Sequence, residues 1–141
     1  MKIKHALTTA ALALATLGLA HGAVAAPIDN VVLVHGAYAD GSSWSEVIER
    51  LQKAGLHVTS VQNPLTSLAD DAAATQRAIA LQDGPTILVG HSWAGTVISQ
   101  AGNDPKVAGL VYVAARAPDA GEDYGALAAR FPTPVLSLIH I

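Results

Sequence analysis

Ser92 stands in LVGHSWAG, residues 88–95, where an apolar run gives way to a helix-like segment. Three jobs are open to a serine at such a junction. It can cap the helix, fill a polar turn, or serve as a nucleophile on a sharp turn. Its neighbours argue for the third. Gly90, Ala94 and Gly95 carry almost no side chain, which a plain cap does not require. A sharp elbow does, because the strand and helix backbones approach closely there. With His91 and Trp93 beside the serine, the pattern is strand–G-x-S-x-G–helix with Ala94 in place of the second glycine. A serine that attacks a carbonyl also needs backbone N–H groups set in advance around the oxyanion it creates. The Trp93 N–H, at the start of a helix and its dipole, is one. The other has to come from the loop after a neighbouring strand. VLVHGAYADGSSW, residues 32–44, offers it: His35-Gly36-Ala37 ends a strand, and Gly36 lets the backbone turn the Ala37 N–H inward. Either signal alone is compatible with an ordinary strand-ending turn. Both together, in this order and each after a strand, are far more specific.

The elements that would carry these residues alternate. VVLVHG (31–36) is a β-branched run suited to a strand buried on both faces. SWSEVIERLQKAG (43–55) has helical periodicity at Trp44, Val47, Ile48 and Leu51, capping-box spacing at Ser43 and Glu46, and a closing Gly55. LHVTSVQ (56–62) reads as a second strand. SLADDAAATQRAIALQ (67–82) reads as a second helix, with Ser67 as N-cap and Asp70 and Asp71 in the first turn. TILVG (86–90) is a third strand, a helix follows over about 93–101, and VAGLVYVAA (107–115) is a fourth strand. This order predicts a doubly wound α/β parallel sheet, with its site beyond the carboxyl ends of the strands where the strand order reverses.

Residues 31–115 resemble the α/β-hydrolase superfamily. VLVHGAYADGSSW, AGLHVTSVQNP and ILVGHSWAG carry the likeness. They are most similar to the small esterase branch that includes plant methyl esterases and hydroxynitrile lyases. The resemblance implies Ser92 as nucleophile and the N–H groups of Ala37 and Trp93 as the oxyanion hole. It gives His35 and His91 packing and hydrogen-bonding roles around the turns rather than that of the base. Tyr38 is a candidate to line the acyl pocket, or a surface residue. The triad acid and then the base should follow, each after a later strand. Asp119, Glu122 and Asp123 come too early for the acid, and His140 has no matching strand before it. ARAPDAGEDYGALAARFPTP (115–134) reads as the opening of a cap, with a short helix over 124–130. VLSLIHI (135–141) reads as a tail of foreign origin. The expectation is therefore the N-terminal half of the fold: a core over 26–115, the start of a cap over 116–134, and residues 26–141 marginally stable and nearly inactive on esters.

MKIKH followed by ALTTAALALATLGLA and HGAVAA has the charged, apolar, small-residue order of a secretory signal, residues 1–25. The apolar run is shorter than the roughly 20 residues of a membrane span, so no span is expected after cleavage, and the destination is the periplasm or the medium. Without Lys2 and Lys4 the eight basic residues fall to six against eleven acidic ones, a net charge of −5. With no basic run, nucleic acid is not an expected partner. The chain has no cysteine, and its histidines at 5, 21, 35, 57, 91 and 140 show no H-x-x-x-H spacing. No metal and no cofactor is expected, and neither dinucleotide nor P-loop glycine pattern follows a strand. The leading expectation is an exported serine hydrolase of carboxylic esters working through an acyl-enzyme. Lyase or cofactor-free haloperoxidase chemistry on the same fold remains open, as does a non-catalytic exported binding protein or inactive fragment, since function lives in the site.

Overall fold

The computed structural model describes residues 27–130. The proposed signal segment, the last part of the cap opening and the tail lie outside these residues. The elements run β1 (Asn30–Val34), a 3-10 turn (Gly41–Trp44), α1 (Ser45–Lys53), β2 (His57–Val61), α2 (Leu68–Ala80), β3 (Thr86–His91), α3 (Ala94–Ala101), β4 (Val107–Val113) and α4 (Tyr124–Ala129). All neighbouring strands pair in parallel, in the order β2-β1-β3-β4. The expected half of a doubly wound α/β sheet is what forms.

β1 is central because it is apolar on both faces. Val32, Leu33 and Val34 have no exposed surface, and each such side chain contributes about 1.5–3 kcal/mol by leaving water. On one face Val32, Val34 and Leu88 pack with Ala74, Ala78 and Ile79 of α2 and Val97, Ile98 and Ala101 of α3. On the other, Val31 and Leu33 pack with Trp44, against which Ile48 and Leu51 of α1 lie. β4 is the edge strand among the described residues, and Val111, Tyr112 and Val113 are each about 40% exposed there. No helix of the described residues is long and apolar enough to cross a membrane.

Two local readings change. The segment before α1 opens as a 3-10 turn rather than as a helix capped by Ser43. Asp40 is its N-cap, accepting from the Ser42 N–H at 2.8 Å, while the Ser43 hydroxyl donates to the Asp40 carbonyl oxygen. The Asp40 carboxylate takes both the N–H and the hydroxyl of Ser42, the Ser43 hydroxyl is spent on the Asp40 carbonyl oxygen, and α1 itself starts without a side-chain cap. The fourth strand stops at Val113, because Ala114 takes a left-handed φ of +42°. At α2 the expected cap does form: the Ser67 hydroxyl accepts from the Asp70 N–H at 3.0 Å and donates to the Asp70 carboxylate at 2.8 Å. The Asp70 carboxylate thus meets the Ser67 hydroxyl and not its backbone N–H, so the cap forms without the reciprocal backbone bond of a capping box.

The chain runs from β1 outward to β2, then crosses back over β1 to β3. The carboxyl ends of β1 and β3 are therefore neighbours at the point where the strand order reverses, which is where such sheets leave a crevice.

Candidate active site

Ser92 follows the last residue of β3 and precedes α3. Its φ is +55°, in the left-handed region that an L side chain enters at a cost of about 1–3 kcal/mol. The turn holds it there. The Ser92 N–H donates to the Val113 carbonyl oxygen at 3.3 Å, and the Ser92 carbonyl oxygen accepts from Gly95 N–H at 3.1 Å and Arg116 N–H at 2.9 Å. The small neighbours are a steric requirement. A Cβ on Gly90 would lie 2.7 Å from the Ala94 carbonyl oxygen, and one on Gly95 only 2.0 Å from that of Arg116. Ala94 fits in place of the second glycine because its methyl group is fully buried in the core beside Val97 and Ile98.

The loop after β1 lies against this elbow. A Cβ on Gly36 would stand 3.1 Å from the Ser92 Cβ and 3.2 Å from His91 Nδ1. His35 anchors the loop from below and is fully buried. The Asn63 backbone N–H donates to His35 Nε2 at 2.9 Å, so the ring proton sits on Nδ1, which donates to the Gly36 carbonyl oxygen at 2.9 Å. Asn63 Nδ2 returns a bond to the His35 carbonyl oxygen at 3.2 Å. His91 lies on the surface, edge-on to Trp44 with ring centroids 6.4 Å apart.

Ala37 and Trp93 line one cavity of about 310 Å³, together with Leu65, Leu68 and Asp71. Among the described residues neither the Ala37 nor the Trp93 amide donates to a protein acceptor. Two residues with free backbone donors thus line one hollow, and one of them, Trp93, directly follows the serine on its strained turn, though Ser92 itself is not among the lining residues. Tyr38 does not join them: it is 81% exposed and lies outside the cavity wall. No histidine or carboxylate among the described residues hydrogen-bonds the Ser92 hydroxyl; His140 lies outside them.

A sequence profile of the Alpha/beta hydrolase family matches residues 31–140. The chain belongs to that family. It is similar to a carbendazim hydrolyzing esterase of Nocardioides sp. (strain SG-4G), 32% identical over 124 residues, which are 77% of this chain and 50% of the relative. The chain therefore spans about half the length of the curated relative it matches. Among solved structures it is similar to a pyrethroid hydrolase from Sphingobium faniae JZ-2, with a TM-score of 0.56 and 29% identity over 63% of this chain and 40% of that one. The pyrethroid hydrolase PytH matches with a TM-score of 0.56 and 25% identity, over 63% of this chain and 41% of that one.

Within this family frame, two residues at the site have a part that sequence reading missed. Asn63 appeared only as the end of a strand, yet it fixes His35. Asp71 appeared only as a helix first-turn acid, yet it is fully buried and accepts from Trp93 Nε1–H at 2.8 Å and from the Leu65 N–H at 2.8 Å. The available signal was the pair Asp70-Asp71, of which a helix N-terminus needs only one. Asp70 is the surface member. Hydrogen bonds from the Thr66 and then the Ser67 hydroxyl hold its carboxyl below the usual carboxylate range. Asp40 is held low in the same way by the Ser42 hydroxyl and amide.

Proposed function

We propose that this chain is the nucleophile-bearing part of an exported serine hydrolase of carboxylic esters, with Ser92 as the nucleophile. The observation that carries the reading is a serine held at φ +55° whose next residue, Trp93, lines one cavity with Ala37, both residues keeping a free backbone amide. The names of the relatives, an esterase and pyrethroid hydrolases, point to the same substrate class. Ser92 Oγ attacks the ester carbonyl carbon, and the carbonyl electron pair moves to oxygen, where the two amides receive it. Collapse re-forms the carbonyl and breaks the bond to the alkoxide. The alkoxide leaves as alcohol with the proton the serine gave up, and water then repeats the attack to release the acid. The proton-carrying base and its acid partner are assigned to no described residue. Export rests on the order of residues 1–25.

One experiment tests nucleophile and export together. A tagged fluorophosphonate, which reacts once and needs no turnover, is applied to fractionated bacteria producing the full chain, and the adduct is mapped by mass spectrometry. The expected result is an adduct on Ser92, absent from Ser92→Ala, on a chain that starts at Ala26 in the periplasmic or medium fraction. An unlabelled wild-type chain, or equal labelling of Ser92→Ala, refutes the nucleophile and leaves a non-catalytic binding protein. Labelled chain confined to the cytosol with residues 1–25 attached refutes export alone.

A further inference from the structure

Asp71 is the buried group at the site that the proposed chemistry leaves unused. Its carboxylate has no exposed surface, and each of its two oxygens takes a different N–H. Oδ2 accepts from the indole of Trp93, 22 residues away and next to Ser92. Oδ1 accepts from the backbone of Leu65, which stands in the left-handed region at φ +58°. Leu65 and Trp93 are both walls of the cavity that Ala37 borders. The carboxylate is therefore a two-armed tie across the back of the cavity. One arm fixes the ring of the residue whose amide is a proposed oxyanion donor, and the other fixes a strained loop residue opposite. A charge-assisted bond of this length is among the stronger tethers a folded chain has.

We propose that Asp71 is a positioning residue that sets the size selectivity of this cavity by holding Trp93 and Leu65 a fixed distance apart. The proposal rests on the serine-hydrolase reading above. With both walls tied, a compact group of the substrate seats against the two amides while a bulky one is resisted. With one tie cut, the wall yields, the compact group loses its fixed seat, and the bulky group is admitted.

Asp71→Asn keeps the shape but leaves only one acceptor for two N–H donors, so one arm is lost. Trp93→Phe keeps an aromatic ring and the backbone amide but removes the indole N–H. The measurement is the rate of Ser92 phosphonylation on the full chain by a short-alkyl and a long-alkyl fluorophosphonate, for the wild type, each variant and the double variant. The expected result is that each single variant lowers the short-to-long rate ratio by about tenfold, the worth of one hydrogen bond to a charged group, and that the double variant lowers it no further. Equal slowing of both probes marks Asp71 as merely structural and overturns the proposal. So does a shift in Asp71→Asn that Trp93→Phe does not share, or one that doubles in the double variant. If Asp71→Asn does not fold, Trp93→Phe decides: a lowered ratio supports the tie, and an unchanged ratio overturns it. A wild-type chain that is not labelled at Ser92 refutes the hydrolase reading and the proposal with it, whereas a labelled wild type with ratios unmoved refutes the proposal alone.

Discussion

Gly95→Ala tests the elbow by adding one methyl group. Gly95 is the second residue of α3, and its missing side chain leaves room for the chain that returns after β4. The added Cβ would lie 2.0 Å from the Arg116 carbonyl oxygen and 2.8 Å from the Ala115 Cβ. Arg116 is tied down, since its N–H donates to the Ser92 carbonyl oxygen at 2.9 Å. Moving Arg116 away therefore pulls on the backbone of the serine. Overpacking of this kind costs about 1–3 kcal/mol. Alanine in a helix recovers about 1 kcal/mol relative to glycine. The clash is with backbone, which cannot rotate aside, so the cost stays near the upper end of its range. The net expectation is a loss of about 1–2 kcal/mol, a fall in melting temperature of roughly 5–10 °C for a domain of this size. Thermal unfolding followed by far-ultraviolet circular dichroism reads it directly. Gly84→Ala is the control, because its Cβ would meet only the Asn30 side-chain amide at 3.5 Å, and it should melt with the wild type. A Gly95→Ala variant that melts at or above the wild-type temperature would show that the segment 114–116 does not lie over α3, and the account of the elbow would fall with it.

His35→Ala empties a fully buried site and strands the Asn63 N–H, so urea unfolding should show a loss of about 2–4 kcal/mol. His91→Ala, at the exposed histidine of the elbow, should cost under about 1 kcal/mol, and equal losses at the two would contradict the anchoring role given to His35. The lowered carboxyls of Asp40 and Asp70 set a sign for acid stability. Each binds its proton less readily in the folded chain than in the unfolded one, so the stability it adds is complete above the unfolded value of about 4 and fades as pH falls through the lowered folded one. Melting temperature measured from neutral pH downward should drop in that acid window, and Asp70→Asn should flatten the drop; a variant with an unchanged acid limb would refute the link.

Much of the fold was legible before any coordinates because it rests on local physics. The β-branched run at 31–34 can be satisfied only by burial on both faces, which makes a central strand. The capping of α2 by Ser67 is a bond between residues three apart, so its signal lies within one turn of sequence. Gly90, Ala94 and Gly95 announce a close backbone approach by having nothing to put there. Where local signals competed, reading failed. Asp40 and Ser43 both offer an oxygen to the segment before α1, and only the built turn shows that Asp40 caps a 3-10 turn there while α1 itself starts without a side-chain cap. Tertiary structure decided everything that depends on which strands are neighbours. The crossing from β2 back over β1 sets β3 beside β1, and that alone brings Gly36 against Ser92, residues 56 apart in the chain. It also puts Ala37 and Trp93 on one cavity and leaves Tyr38, one residue on, outside it. The same packing aims the Asp71 carboxylate at the Trp93 indole. A sequence carries the types and local spacing of such groups, but the distance between them is set by strand pairing and helix packing, which act between residues the chain keeps far apart.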